Sequence, residues 1–276
     1  MSAGMPGVAP ARGKRRTRTA LTIAGSDSGG GAGIQADLKT FSAHGVYGTS
    51  AITAVTAQNT RGVTRFDALS PDLVTAQIDA VMSDIGADAA KTGMLANAPI
   101  VTAAAAAIRR HSLRLLVVDP VMVAKSGDRL VDDAALAALK KDLFPLAFVV
   151  TPNIPEAEAL TGVAIRGIAD RVEAARRILA MGALSVIVKG GHAASEDIVD
   201  LLLDSGGQVE FTHRRIAGRH THGTGCTFSA ALTAHLALGR SLRDAIPLAQ
   251  QYIAGAIGRA PDVGAGHGPM DHFWGR

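Results

Sequence analysis

Short apolar runs alternate with helix-like segments along most of the chain. The apolar runs are rich in Val, Ile, Leu and Ala and end in polar or glycine residues, as buried strands of a parallel sheet do. This pattern predicts strands at 19–25, 47–59, 87–93, 113–121, 147–153 and 184–191. Between and after them it predicts helices at 34–45, 71–85, 98–110, 132–143, 155–161, 169–181, 224–238 and 241–259. Segments 197–204 and 208–216 flank a Ser-Gly-Gly turn and predict a hairpin.

Repeated strand–helix alternation predicts an α/β fold: a three-layer α/β/α sandwich with a mainly parallel central sheet. Residues 19–276 contain neither a proline-rich linker nor a repeat of fixed period, so we predict a single domain there. Polar clusters follow the predicted strands: AGSDSGGGAG, AQNTRG, KTGM, DPVM, TPNIPE and VKGGH. Ligands of such sheets bind beyond the carboxyl ends of the strands. We therefore expect these clusters to converge on one site.

Composition and charge exclude several kinds of site and several classes of protein. The single cysteine excludes an internal disulfide and a Cys-rich zinc site, and it favours a reducing cytoplasm. The uncharged stretch between Lys39 and Arg61 is interrupted by polar residues, so no membrane span is expected. Five of the positive charges lie within residues 1–18, which we predict to be a solvated, poorly ordered basic tail. Nucleic-acid binding by this tail is the weaker alternative, and we expect no nucleic-acid partner.

The glycine-rich segment after the first strand suggests a phosphate or nucleotide loop, because glycines let backbone N–H groups approach a ligand. It lacks the Gly-Lys-Ser/Thr of a Walker motif. Residues 31–36 match a loose dinucleotide fingerprint, but the second strand ends in Gln58-Asn59-Thr60 and supplies no ribose-binding carboxylate. A dinucleotide fold is therefore disfavoured.

Seven segments together resemble the hydroxymethylpyrimidine and phosphomethylpyrimidine kinases of thiamine biosynthesis, which are ribokinase-like. They are residues 20–63, AAKTGML (89–95), LVVDPVMVAKSGD (116–128), TPNIPEAEAL (151–160), VIVKGGH (186–192), THGTGCTFSAAL (221–232) and GHGP (266–269). The resemblance implies that ATP phosphorylates 4-amino-5-hydroxymethyl-2-methylpyrimidine and then its monophosphate, giving the diphosphate. It also implies Mg²⁺ and favours a homodimer.

The resemblance assigns the pyrimidine to Gly25, Asp37, Gln58, Met94 and Val121. A carboxamide such as that of Gln58 offers an acceptor and a donor that complement an aminopyrimidine edge; a strand-end Gln bonded to backbone is the alternative. Asp37 lies early in a helix, where a carboxylate is favourable without any ligand. Met94 and Val121 would form walls or simply pack in the core.

The remaining candidates concern the phosphates. TPNIPE reads as a helix start with Asn153 as N-cap, and the family pattern links Glu156 to Mg²⁺ through water and Asn153 to the nucleotide. Lys189 would neutralise phosphates or would be a surface lysine. Asp119 faces the same site, and its role stays open.

The turn Gly223-Thr224-Gly225-Cys226 opens a predicted helix, and its N–H groups would receive the negative charge of a transferred phosphoryl group. Ribokinase-like sugar kinases carry an Asp base at the last position, where this chain has Cys226. A helix N-terminus lowers a thiol pKa, so Cys226 is the candidate base for the alcohol, or else an inert small residue. The rival activities are a pyridoxine/pyridoxal kinase and a non-catalytic pyrimidine-binding protein.

Overall fold

The computed structural model describes residues 17–122, 131–191, 196–216 and 220–275. The predicted tail at 1–18 lies outside these residues except for Thr17 and Arg18, and the Arg18 guanidinium is 2.9 Å from Asp88. Among the residues described, none of the helices combines the length and the apolar character that crossing a membrane requires.

An eight-stranded sheet forms the centre of the fold. Its strands, together with the two of a smaller sheet, are β1 Thr19–Ala24, β2 Tyr47–Ile52, β3 Ala54–Asn59, β4 Gly62–Ala68, β5 Ala89–Thr92, β6 Leu116–Val118, β7 Val149–Val150, β8 Val186–Val188, β9 Asp197–Asp204 and β10 Gly207–Arg214. The order in the large sheet is β10-β9-β8-β7-β6-β5-β1-β2. From β2 to β8 all neighbours are parallel, while β9 is antiparallel to β8 and to β10, so the predicted hairpin is confirmed.

In the part of the chain that the structure describes, eight α-helices cover the sheet. They are α1 Gly33–Ala43, α2 Pro71–Asp84, α3 Ala98–Arg110, α4 Asp133–Ala138, α5 Ile154–Thr161, α6 Ile168–Ala180, α7 Thr224–Ala237 and α8 Leu242–Gly258. A π turn and a 3₁₀ turn follow α4 at 139–146, where the sequence predicted one longer helix.

Two apolar cores lie between the sheet and the helices, one on each face of the sheet. One packs α2 to α6 against one face, and the other packs α1, α7 and α8 against the opposite face. The inner strands are buried because both faces of the sheet are covered there; β1, for example, is buried at all six positions. The predicted α/β/α sandwich with its mainly parallel sheet is confirmed.

The predicted single strand at 47–59 is wrong in one respect, because the chain leaves the main sheet at Thr53. The Thr53 N–H donates to Ala24 O at 3.0 Å, and its hydroxyl donates to Met94 O at 2.7 Å. β3 then pairs antiparallel with β4, which the sequence did not predict, in a separate two-stranded sheet. This small sheet brings Gln58 over the carboxyl end of β1.

Candidate functional site

All the residues selected from the sequence line one cavity of about 760 Å³ at the carboxyl ends of the parallel strands. They come from β3, from the segments that follow β1, β5, β6, β7 and β8, and from the start of α7. The set is Gly25, Asp37, Gln58, Met94, Asp119, Val121, Asn153, Glu156, Lys189, Gly223, Thr224, Gly225 and Cys226. The sheet therefore brings them together as the topology of the sequence predicted; their individual roles remain predictions.

The two glycine-rich segments meet at the edge of this cavity. Gly223 has φ +80°, and a Cβ there would collide with the carbonyl oxygen of Gly31. Gly33 has φ +55°, and a Cβ there would lie 2.5 Å from the carbonyl oxygen of Gly25. Only glycine combines these backbone angles with such close approach. The glycines thus join the loop after β1 to the first turn of α7.

The first turn of α7 faces the cavity with backbone N–H groups that a helix cannot pair internally. Gly223 is the N-cap residue, and its carbonyl accepts from Thr227 N at 2.8 Å. The Thr224 hydroxyl donates to Thr221 O at 2.8 Å and so closes the turn. This geometry suits an anion at the helix start.

Lys189 and Asp119 form an ion pair beside that turn. Lys189 Nζ is 2.9 Å from Asp119 Oδ1 and would be 3.4 Å from a Cβ on Gly225. Burial alone would raise the pKa of Asp119 and lower that of Lys189. Their mutual attraction, together with Lys91 acting on Asp119 and Glu156 acting on Lys189, outweighs burial and shifts both pKa values the other way. Both groups therefore stay charged next to the turn.

Lys91, which the sequence analysis did not select, forms a second ion pair in the cavity wall. Its ammonium lies 2.8 Å from Asp37 Oδ1, and Thr22 Oγ1 donates to Asp37 Oδ2 at 2.6 Å. Burial alone would lower the pKa of Lys91, but the charge of Asp37, followed by Cys226 and Asp119, outweighs burial and raises it. Asp37, expected to bind substrate directly, is thus first of all the partner of a buried lysine.

The expected lowering of the Cys226 pKa is wrong. Burial raises the pKa of the thiol to about 11, and the opposing effects of the Lys91 charge and of the Gly33 N–H do not compensate for it. The sequence indicated that Cys226 lies at a helix start. How far its thiol is buried depends on how α1 and α7 pack, which the sequence did not indicate.

Asn153 and Glu156 form the capping box that TPNIPE predicted. The Asn153 side chain accepts from Glu156 N at 2.9 Å, and the Glu156 carboxylate accepts from Asn153 N at 2.8 Å. Burial, reinforced by the charge of Asp119, raises the pKa of Glu156 to about 7, against the lowering effect of Lys189. The capping box therefore stabilises the start of α5 and also places the Glu156 carboxyl group in the cavity wall.

Gln58 lies at a β-bulge, where the pairing of β3 with β4 shifts register between Ala57 and Gln58. A bulge re-aims a side chain relative to its strand, and the Gln58 side chain lines the cavity. It contacts His222, which is paired with the buried Asp27; neither residue was selected from the sequence. The apolar side of this end is formed by Met94, whose methyl group lies against Gly25, and by Val121.

A further part of the cavity is lined by apolar side chains together with the polar residues Asp200, His213 and Gln250. It lies between the β9–β10 hairpin and α8. Its lining includes Ile198, Ile216, Phe228, Ile253 and Ile257. Apolar side chains beside a few polar groups suit the binding of a nucleotide base.

Comparison with known proteins agrees with this geometry. A family model described as phosphomethylpyrimidine kinase matches residues 27–271. The chain is 50% identical over 255 residues to the hydroxymethylpyrimidine/phosphomethylpyrimidine kinase of Bacillus subtilis, covering 92% of this chain and 94% of that protein. It is 53% identical over 253 residues to the thiamine biosynthesis bifunctional protein ThiED of Geobacter sulfurreducens, covering 92% of this chain and 52% of that protein. The chain thus spans about half the length of this second relative.

The fold also matches solved structures. A Bacillus subtilis pyridoxal kinase in complex with ADP is 41% identical to this chain, with a TM-score of 0.86. The match covers 93% of this chain and 97% of that one.

Proposed function

We propose, because this chain belongs to the phosphomethylpyrimidine kinase family, that it transfers the γ-phosphoryl group of ATP to 4-amino-5-hydroxymethyl-2-methylpyrimidine and then to the resulting monophosphate. The family resemblance inferred from the motifs is confirmed by the same match. The product would be the diphosphate used in thiamine biosynthesis. The observation that carries the proposal is that one cavity is lined both by Gln58 and by Lys189 with the first turn of α7.

At the pyrimidine end, the carboxamide of Gln58 offers the acceptor and the donor that an aminopyrimidine edge needs. Met94 and Val121 supply apolar walls for the ring. Asp37 acts by holding the ammonium group of Lys91 at the cavity wall, 2.8 Å from its own carboxylate. The hydroxymethyl group would then point toward Cys226 and the start of α7.

At the phosphoryl end, Lys189 and the N–H groups of the Gly223–Cys226 turn neutralise the charge that develops on the transferred group. Cys226, in its thiolate form, accepts the proton of the alcohol. Burial opposes this role, whereas the Lys91 ammonium and the Gly33 N–H favour the thiolate. The second transfer attacks with a phosphate oxygen that is already anionic, so it needs this base much less.

Mg²⁺ fits the donor set at the same end. The Glu156 and Asp119 carboxyl groups both line the cavity near Lys189, and Mg²⁺ takes few carboxylate oxygens because it keeps several waters. When bound, Mg²⁺ would supply positive charge against the ATP phosphates. Glu156 would hold it through water, and Asn153 orients Glu156 through its N–H and contributes to nucleotide binding.

We further expect a homodimer in the cytoplasm. Four large apolar side chains around β2, β3, β4 and the start of α2 are 41–56% exposed, namely Tyr47, Val55, Phe66 and Leu73. Exposed apolar side chains in this region would favour association with a second copy. Light scattering on the purified protein should give twice the chain mass, and a monomer at micromolar concentration would contradict the expectation.

The second candidate activity is pyridoxal phosphorylation, because a pyridoxal kinase is among the matching structures. ADP formation is measured in parallel with the hydroxymethylpyrimidine and with pyridoxal, at equal Mg²⁺ and ATP. We expect the higher kcat/KM with the pyrimidine. A higher value with pyridoxal would reverse the assignment, and ligand binding without ADP formation would indicate a non-catalytic binding protein.

A further inference from the structure

His222 connects three segments at the pyrimidine end of the cavity. Its Nε2 is 2.8 Å from Asp27 Oδ2, and its ring lies against Gly31 of the glycine-rich loop. The Asp27 carboxylate also accepts from three N–H groups of that loop, those of Gly29, Gly31 and Ala32, at 2.8 to 3.1 Å. The side chains of Asp27 and His222 are only 2% and 12% exposed. The imidazole is therefore held in one position.

The protonation of this pair follows from its contacts. Burial alone would raise the pKa of Asp27, but the hydrogen bond and charge of His222 and the backbone donors outweigh it and lower the pKa. An ionised carboxylate only accepts, so His222 Nε2 carries a hydrogen and donates it. The same Nε2 is 3.3 Å from the side-chain nitrogen of Gln58. A ring N–H and an amide N–H cannot hydrogen-bond to each other.

The oxygen of the Gln58 carboxamide also faces an unsuitable partner, in this case another acceptor. Thr56 Oγ1 is 3.4 Å from Gln58 Oε1, but it donates its one proton to Ser26 O at 2.9 Å. Thr56 Oγ1 can therefore only accept a hydrogen bond from Gln58, yet the atom that faces it, Gln58 Oε1, is also an acceptor. Turning the carboxamide by half a rotation removes both mismatches. The NH₂ group can then donate to Thr56 Oγ1, and the amide oxygen becomes the second acceptor of the His222 Nε2–H, which it shares with Asp27 in a three-centre hydrogen bond.

We propose that the Asp27–His222 pair fixes the Gln58 carboxamide with its oxygen toward His222 and its NH₂ group toward Thr56, and that His222 thereby determines which heterocycle edge the site accepts. His222 is thus a positioning residue that acts through Gln58. The proposal rests on the proposed function, because the edge in question is that of the aminopyrimidine.

The fixed carboxamide distinguishes two closely similar rings. The 4-amino pyrimidine has a donor at its exocyclic nitrogen and an acceptor at the adjacent ring nitrogen, which match the amide oxygen and the NH₂ group of Gln58. The corresponding 4-oxo pyrimidine has a carbonyl oxygen and a ring N–H at these positions, which is the reverse order. It would place oxygen against oxygen unless the carboxamide turned back and lost its contacts with His222 and Thr56.

The experiment compares affinities for 5-hydroxymethyl-2-methylpyrimidines with a 4-amino or a 4-oxo group. Titration calorimetry without nucleotide gives both dissociation constants for the wild-type protein, for His222→Leu and for His222→Gln, which retains an N–H donor. We expect the wild-type protein to prefer the amino compound by at least about tenfold. The preference should fall about tenfold or disappear in His222→Leu and return in part in His222→Gln.

Equal weakening of both compounds in His222→Leu, with the preference unchanged, would overturn the proposal, since that is the result of a merely structural role. Thr56→Val supplies an independent test should His222→Leu fail to fold. It removes the acceptor at the other end of the carboxamide and should also reduce the preference. ADP formation by the wild-type protein is measured separately, so failure of the kinase activity is distinguishable from failure of the orientation proposal.

Discussion

Two ion pairs of the same chemical type lie in one cavity and differ in their access to it. Lys91 and Asp37 are both fully buried, with 0% of either side chain exposed. Lys189 is 13% exposed and Asp119 is 2% exposed, and the Lys189 ammonium lies beside Gly225 at the start of α7. The first pair is enclosed in the wall, whereas the second reaches the place where a phosphoryl group would bind.

This difference in exposure predicts that one ion pair contributes mainly to stability and the other mainly to catalysis. A fully buried charge that loses its partner leaves the other charge unpaired, which destabilises the folded state strongly. A cation beside a helix N-terminus that faces a substrate contributes mainly when negative charge develops there. We therefore expect Lys91 to matter most for folding and Lys189 to matter most for turnover.

The largest expected effect is on the stability of a Lys91→Met variant. Removing the ammonium leaves the Asp37 carboxylate buried, so the free energy of unfolding should fall by about 3–5 kcal/mol. Urea denaturation followed by circular dichroism measures this loss. The double variant Lys91→Met/Asp37→Leu is the matched control, because it removes both charges and should recover most of the stability. A single variant as stable as the wild-type protein would show that the pair is not structural.

Lys189→Met should lower the rate of turnover more than it lowers stability. We expect kcat to fall about 10²–10³-fold, because one cation that stabilises transition-state charge is lost. The loss of stability should be smaller than in Lys91→Met, since Asp119 keeps hydrogen bonds from Thr151 and Ser229. Steady-state ADP formation gives kcat, with the exposed Lys141→Met as control. If Lys91→Met, assayed while folded, lost more kcat than Lys189→Met, the division of roles would be wrong.

Cys226→Ala should affect the two phosphoryl transfers unequally. The first transfer must deprotonate an alcohol and should slow about 10²-fold, whereas the second should change by only a few-fold. Single-turnover rates measured separately with the pyrimidine and with its monophosphate give this ratio. Equal losses in both steps would argue against Cys226 as the base.

The smallest expected effect concerns the reactivity of the same thiol. Because burial raises the pKa of Cys226 to about 11, the thiolate that reacts with iodoacetamide forms only as the pH rises toward that value. The rate of alkylation in the nucleotide-free protein should increase about tenfold per pH unit from pH 7 to pH 10. Mass spectrometry locates the label, and Cys226→Ala shows the background. A plateau below pH 9 would mean that the cavity favours the thiolate far more than its burial suggests.

Local patterns were enough to predict most of the fold and one part of the site. The capping box of Asn153 and Glu156 spans four residues, so TPNIPE already contained it. Strand and helix alternation likewise predicted the sandwich and the convergence of the strand ends. The split of 47–59 at Thr53 was not predictable, because the hydrogen bonds that turn the chain there come from Ala24 and Met94.

The partners of buried charges were beyond sequence reasoning. Lys91 lies 54 residues from Asp37, and Asp27 lies 195 residues from His222. In the sequence, Lys91 is an ordinary lysine of a short strand, and Asp27 is one polar residue of a glycine-rich loop. The HGTGC segment at 222–226 drew attention to Cys226, although its first residue, His222, contacts Gln58. Depth and pairing arise only when the loops pack together, which is why the Cys226 pKa was also wrongly expected.

The central claim is that one cavity carries out two successive phosphoryl transfers. Its most direct test is a time course of products from the hydroxymethylpyrimidine with Mg²⁺ and excess ATP, followed by ³¹P nuclear magnetic resonance and mass spectrometry. We predict that the monophosphate accumulates first and is then converted to the diphosphate, with two ADP formed per pyrimidine. Accumulation of the monophosphate as the final product, or no phosphorylated pyrimidine at all, would contradict the account.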